Sequence, residues 1–470
     1  MEYIENRAFD EISIGDSSTL TRSLTEQDIM LFAVMSGDIN PAHVDPDYAK
    51  NSQFREVIGH GMWSGALIST VLGTQFPGPG TIYLGQDLRF RHPVGVGDTV
   101  TVTVTATARD VEKGRVTLDT ECVNQDGNVV VSGTAHVIAP KEKVRRPKID
   151  LPDVRLNDRE TRFKHIAARV KSRKLEPVRT AVVHPCDSES LAGALEAGRE
   201  GIIVPVLVGP EGKMREAARS ADLDLTGIAI VPVAHSHEAA AVAVRLAHEG
   251  KVEAIMKGSL HTDELIAAVM APDSGLHTDR CLSHVFALDV PTYAKPLFIT
   301  DAAINIEPTL EQKRDIVQNA IDLVRTLGNP MPRVAILAAV ETVNPKMRAT
   351  IDAATLCKMA DRGQITGGVL DGPLAFDNAI SLDAARTMGI VSPVAGQADI
   401  LVVPDIESGN MLAKQLAYLA DALAAGIVLG ARVPIALNSR ADDRISRMAS
   451  AMLVLIVAQA QRQSRAPQLA

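Results

Sequence analysis

At 470 residues with a formal net charge of −9, the chain exceeds one ordinary core, and about 100–200 residues per domain suggests about three compact units. Its 48 basic and 57 acidic residues are interspersed and only 3% of the residues are aromatic, which argues against a nucleic-acid surface and for small-molecule partners and copies of itself. Cys122, Cys186, Cys281 and Cys357 are too far apart for a zinc or disulfide pattern, Met1 to Asp10, acidic and without an apolar core, is not expected to act as a secretory signal, and the apolar run Met448 to Ala460 is too short to span a bilayer, so a cytoplasmic protein is expected.

In chain order, Phe9 to Asp16 reads as a lead-in loop, and Thr25 to Met35 as a helix with Thr25 as N-cap, Glu26 and Asp28 in its first turn and Gly37 as its stop. Ser36-Gly37-Asp38-Ile39-Asn40-Pro41-Ala42-His43-Val44-Asp45 follows. Pro41 biases Asn40 toward extended backbone, so Asp38 and His43 flank a bend and can share one water. A carboxylate and an imidazole holding a water can add it across a polarised double bond, which is hydratase chemistry. The alternative is an Asx-turn in which Asp38 and Asn40 only bond backbone amides.

Asp47 to Ser52 reads as a short helix, and Gly59-His60-Gly61 opens a second, Met62 to Phe76, apolar around most of its circumference and so needing to be wrapped. Strands are expected at Thr81 to Phe90, Thr99 to Ala106 with its clean alternation, Val116 to Asn124 and Asn128 to Ile138, with Asp126-Gly127 as a hairpin turn. A helix cradled by such an antiparallel sheet is the hot-dog architecture. These antiparallel strands argue against a dinucleotide-binding reading of Gly59-x-Gly61-x-x-x-Gly65, which needs parallel strands. The glycines instead suit approach of a substrate carbonyl to amides at the helix start, giving Gly61 a substrate-binding role, with His60 as a structural neighbour.

Asp38-x-Asn40-Pro41-x-His43-x-Asp45-Pro46 followed by Ile58-Gly59-His60-Gly61-Met62 resembles the signature of the MaoC-like family of (R)-specific enoyl-CoA hydratases. The resemblance implies a hot-dog fold, Asp38 and His43 as the catalytic pair and Asn40 as their orienting residue.

Pro140 to Arg162 is rich in charge and proline and reads as a linker. The expected organisation is a hydratase domain at 1–140, a linker at 141–161 and a second domain at 162–470. There, apolar strands at Thr180 to Val183, Ile203 to Val208, Ile228 to Val233 and Val252 to Met256 alternate with Ala-rich helices, the mark of a largely parallel α/β sheet. No G-x-x-x-x-G-K-[ST] loop is present, and His235-x-His237 has no further ligands at metal spacing, so no metal site is expected.

Conspicuous polar blocks mostly follow the strands: Lys257 to Asp263, Thr300 to Pro308, Asp371 to Ala379, Pro404 to Asn410 and Asn438 to Asp442. Loops at the carboxyl ends of parallel strands bind ligands in open α/β sheets, so the blocks are expected to converge on one cleft. Together they resemble the phosphate acetyltransferase and butyryltransferase family over Arg162 to Ala460, and Asp371 to Ser381 and Ser439 to Asp442 look more like its butyryl branch. The resemblance implies a two-subdomain α/β fold shared with the isocitrate and isopropylmalate dehydrogenases, and acyl transfer between CoA and phosphate. For that chemistry Arg440 can fork two N–H groups onto phosphate and Ser439 can bond the carbonyl or the thiol, so both are expected to be catalytic; of the cations Lys257, Arg280, His284, Lys346 and Arg348, Lys346 is the one expected at the anion, with Asp377 and Asn410 also around the substrates, and Arg440 is expected to project from the end of a strand at Ile427 to Leu437. The base for CoA is open, because Ser446 stands where acetyl-branch relatives carry an Asp; Asp442 or Asp443 would have to substitute.

The reading is a bifunctional enzyme with acyl-CoA and phosphate as substrates and no bound cofactor, a homo-oligomer of at least two chains. The alternative is a transferase whose hot-dog domain serves only for oligomerisation.

Overall fold

The alternation that begins at Thr99 sorts by face as a period of two requires. Val100, Val102, Val104 and Ala106 are buried, each valine contributing about 1.5–3 kcal/mol of apolar transfer energy. On the other face, hydroxyls pair across strands, Thr21 with Thr101 at 3.0 Å and Ser23 with Thr99 at 2.7 Å. The structure is a computed structural model that describes residues 2–152, 154, 156 and 159–465, and it divides into two units, Met1–Asn157 and Asp158–Ala470.

The first unit comprises β1 (Tyr3–Glu5), β2 (Ser17–Ser23), α1 (Glu26–Ser36), α2 (Pro41–Val44), α3 (Pro46–Asn51), α4 (Gly61–Thr74), β3 (Ile82–Phe90), β4 (Thr99–Asp110), β5 (Arg115–Asn124), β6 (Val129–Ile138) and β7 (Arg145–Pro147). An antiparallel sheet in the order β2-β4-β5-β6-β3 packs on α4, whose Trp63, Leu67, Ile68, Val71 and Leu72 share one core with the β4 valines. This is the hot-dog arrangement. Strand β2 was not expected, because its run Ser-Ser-Thr-Leu-Thr-Arg-Ser is mostly polar and lies at a sheet edge. The segment expected as a linker contributes β7, which pairs antiparallel with β1, while Asn6 bonds the backbone of Glu142 and Val144. This exposed two-stranded pairing needs no apolar period, which is why composition alone read the segment as a linker.

The second unit runs α5 (Arg159–Lys171), β8 (Val178–Val183), α6 (Ser188–Arg199), β9 (Ile203–Gly209), α7 (Glu211–Ser220), β10 (Ala229–Pro232), α8 (Ser236–His248), β11 (Ala254–Lys257), α9 (Thr262–Met270), β12 (Ser283–Asp289), β13 (Leu297–Thr300) and α10 (Leu310–Thr326). It continues through β14 (Arg333–Leu337), α11 (Arg348–Asp361), β15 (Val369–Leu374), α12 (Phe376–Ile380), α13 (Leu382–Thr387), β16 (Ile400–Val402), α14 (Ile406–Leu419), β17 (Leu423–Leu429), β18 (Ile435–Ala436) and α15 (Arg444–Arg465). The strands form one sheet of 11, ordered β10-β9-β8-β11-β18-β17-β12-β13-β16-β14-β15. Helices cover both faces: Val182 and Met256 join a core with α6, α10 and α15, while Ala181 and Ile255 join another with α8 and α9.

Two features differ from expectation. The segment Ile427 to Leu437 is a hairpin rather than one strand, turning at Gly430 with φ of 90°; any side chain there would bring its Cβ to 2.2 Å from the Cys281 carbonyl oxygen. The sheet also changes sense. The five strands from β10 to β18 are mutually parallel, as are the four from β13 to β15, but three antiparallel pairings around β17 and β12 reverse the second set against the first. Among the described residues no helix is long and apolar enough to cross a membrane.

Candidate active sites

In the first unit, Thr25 caps α1 in a capping box with Asp28, and Gly37 closes the helix in the left-handed region at φ of 76°. The chain then bends. Asp38 Oδ1 accepts from the Asn40 amide at 3.2 Å and Asn40 Oδ1 accepts from the Ala42 amide at 3.1 Å, capping α2. The Asx-turn bonding and the presentation of Asp38 toward His43 therefore coexist, and Asn40 acts by shaping the bend.

His43 Nδ1 lies 2.8 Å from the Ile58 carbonyl oxygen, and a carbonyl can only accept, so Nδ1 carries the proton and the neutral ring keeps its lone pair on Nε2. His60, buried, donates from Nε2 to the Asp38 carbonyl oxygen at 3.0 Å and stacks on the His43 ring with centroids 4.1 Å apart. Phe32 backs the His60 ring at 4.9 Å. One donor atom from each of Asp38, His43 and His60 lies within 4.8 Å of the others, close enough to hold one water or one small cation in common. Gly61 opens α4, where a Cβ would meet the Phe90 ring at 2.9 Å; packing accounts for the glycine, and of the first-turn amides of α4 that of Trp63 donates to the His60 carbonyl at 2.9 Å, which leaves those of Gly61 and Met62 as the ones a carbonyl can approach.

In the second unit, Ser439 and Arg440 are exposed in the loop after β18. Beneath them lies Lys257, the buried last residue of β11, whose Nζ donates to the Asn438 carbonyl at 3.3 Å and the Gly258 carbonyl at 3.4 Å. Burial, and then the charges of Arg447 and Arg440, push its ammonium down to about 8. The two carboxylates considered as bases are engaged elsewhere. Asp442 Oδ2 accepts from the Ser439 amide at 2.9 Å and Asn438 Nδ2 at 3.1 Å, while Asp443 caps α15 through the Ser446 amide at 2.8 Å and lies 3.5 Å from Arg159. Arg440 forms no ion pair with either.

The expected single cleft does not emerge from the sheet. Lys346 follows β14, Asp377 sits in α12 after β15 and Asn410 in α14 after β16, all on the strand set that runs opposite to β11 and β18. Lys346 and Asp377 are exposed, and Asn410 Nδ2 braces the Ala302 carbonyl at 3.1 Å. That carbonyl belongs to a loop anchored by buried Asp301, which accepts from the amides of Ala303, Ile304 and Asn305. No hydrogen bond or ion pair among the described residues joins Lys346, Asp377 or Asn410 to the Ser439 loop. Sequence reasoning missed Arg447, which is fully buried and bonds the Ser439 carbonyl at 3.1 Å. The available signal was a lone arginine on the face of α15 that also carries Ala451, Val454 and Ala458.

The thiols are poor nucleophiles: burial pushes those of Cys122 and Cys357 up to about 12 and those of Cys186 and Cys281 to about 11, leaving little thiolate at neutral pH.

Residues 13–125 match the family described as MaoC like domain, and residues 234–455 match Phosphate acetyl/butaryl transferase. A Phosphate acetyltransferase of Rhizobium meliloti is 62% identical over 282 residues, 60% of this chain and 89% of the relative. A Phosphate butyryltransferase of Clostridium acetobutylicum is 39% identical over 63% of this chain and 98% of its own. The solved structure of a branched-chain phosphotransacylase from Enterococcus faecalis V583 is 28% identical, covering 60% of this chain and 99% of that one with a TM-score of 0.53. The chain belongs to the phosphate acetyl/butyryltransferase family and carries a MaoC-like domain ahead of its transferase unit.

Proposed function

We propose that this chain is bifunctional: the second unit is a phosphate acetyltransferase, and the first hydrates 2-enoyl-CoA to (R)-3-hydroxyacyl-CoA. The observation that carries the hydratase half is the Asp38 and His43 juxtaposition, with the His43 tautomer fixed by Ile58. A water held between the carboxylate and Nε2 gives its oxygen to the β-carbon, and its proton passes through the pair to the α-carbon. An open apolar groove of about 780 Å³ is lined by Phe32, Met62, Leu84 and Phe90, and Phe32 also packs on the His60 ring, so the groove is the place for an acyl chain whose thioester reaches the pair past Phe32. The exposed apolar residues along this face also support at least a dimer.

In the transferase half, a phosphate oxygen attacks the thioester carbonyl, the tetrahedral oxyanion collapses, and CoA leaves as a thiolate that takes up a proton. Arg440, free of its neighbouring carboxylates, can fork two N–H groups onto phosphate, and Ser439 can bond the carbonyl or the sulfur. Both substrates are supplied free, with no resident cofactor in the scheme. The similarity to the Rhizobium relative favours acetyl-CoA over butyryl-CoA as the better acyl donor. The purified chain tests this when assayed for crotonyl-CoA hydration and for phosphate-dependent CoA release from both thioesters. Release without hydration leaves the first unit as an oligomerisation module; the absence of both contradicts the whole reading.

A further inference from the structure

Two buried cations lie under the Ser439 loop with no carboxylate in ion-pair contact, although the charges of Asp442 and Asp187 act on Lys257 from a distance. Lys257 and Arg447 are 3% and 1% exposed, and among the described residues neither forms an ion pair. Arg447 spends one N–H on the Ser439 carbonyl, while its Nε and Nη1 are buried with no hydrogen-bond partner. Its stem runs against Gly193 of α6, where a Cβ would lie 3.0 Å from the Arg447 Cβ, so the fold makes room for it. The nearby carboxylates are committed: Asp187 caps α6 at Ser190 and Asp442 holds Asn438 and Ser439.

A buried charge that is neither paired nor fully hydrogen-bonded is costly. Such a cost persists where an arriving ligand removes it. The two cations also hold consecutive carbonyls, Lys257 that of Asn438 and Arg447 that of Ser439. Because a trans peptide points its C=O and N–H in opposite directions, the Arg440 amide faces away from the cations, toward the exposed side of the loop.

Resting on the transferase reading above, we propose that Lys257 and Arg447 are the positive floor of a phosphate-dianion subsite, turning the Asn438 and Ser439 carbonyls inward so that the Ser439 hydroxyl and the Arg440 amide and guanidinium present donors to the anion. They are positioning residues, acting through the loop and through their charge. The dianion is the reacting phosphate; a phosphate group of CoA offers the same chemistry, and the test separates the two.

The test uses the full chain with Lys257→Met and Arg447→Met, beside the charge-keeping Lys257→Arg and Arg447→Lys. Each methionine variant is expected to raise the KM for phosphate at least about tenfold while leaving that for acetyl-CoA within about twofold. Because each removes an uncompensated buried charge, neither should lower Tm; Arg447→Lys should retain most of the phosphate affinity. Inorganic phosphate should also raise the Tm of the wild-type chain beyond chloride at equal ionic strength. Unchanged phosphate KM in the methionine variants overturns the proposal. So does a rise confined to acetyl-CoA that vanishes with the 3′-dephospho thioester, which would assign the cations to CoA. If the methionine variants do not fold, a wild-type Tm indifferent to phosphate, or full loss of phosphate affinity in both charge-keeping variants, overturns it. Should the wild type transfer no acetyl group, the functional reading fails by itself, and the phosphate-dependent Tm still reports on the subsite.

Discussion

At His43 a single hydrogen bond decides which ring nitrogen keeps its lone pair. Donation from Nδ1 to the Ile58 carbonyl leaves Nε2 as the only ring atom able to take a proton, and Asp38 approaches from the other side of the bend. Replacing either partner, as Asp38→Asn or His43→Gln, should slow crotonyl-CoA hydration by about two to four decades, about 3–5 kcal/mol of barrier, with acetyl transfer unchanged; steady-state rates at saturating substrate check this. Arg440 should show the converse. Lysine keeps the charge but not the fork, so Arg440→Lys should lose at least about tenfold in transferase kcat/KM, about 1.4 kcal/mol, with hydration intact. The juxtaposition of Asp38 and His43 was legible because both lie within one short local stretch, whereas the partners that fix them, Ile58 and His60, lie beyond it. Arg447 was not, since its significance depends on Gly193 and the Ser439 carbonyl, which only the folded sheet brings to it.

At the scale of elements, legibility tracked the strength of the apolar period. Strand β4 and helix α4 declare themselves, and deleting buried atoms between them should be expensive: Ile68→Ala, at a fully buried position, is expected to cost the first unit about 2–5 kcal/mol, read as a lowered unfolding transition for that unit. The polar edge strand β2 and the short pair of β1 with β7 carry no such period. The reversal of sense across the second sheet was equally invisible, because strand partnering is a long-range property and β17 and β18 read as one apolar run. Asp301 gives a second check at this scale. Its carboxylate satisfies three backbone amides and Asn305 Nδ2 in a buried loop, so Asp301→Ala should destabilise the second unit by about 1–3 kcal/mol for each amide left without a partner. Chemical denaturation of the second unit measures this directly.

The molecule as a whole is two units, each with its own core and its own candidate chemistry. A cut after Asp150 leaves β7 paired with β1 and should yield two soluble fragments, each retaining one activity. Light scattering should find the first at least dimeric, as its exposed apolar groove suggests; a monomeric yet active fragment would contradict that. The independence of the two sites is the central claim, and one experiment on the intact chain addresses it most directly. Crotonyl-CoA hydration and phosphate-dependent CoA release from acetyl-CoA are measured side by side in the wild type, Asp38→Asn and Arg440→Lys. The account predicts both activities in the wild type and a clean crossing, each substitution depressing only the activity of its own unit. It is contradicted if the wild type lacks either activity, or if one substitution abolishes both while the chain remains folded.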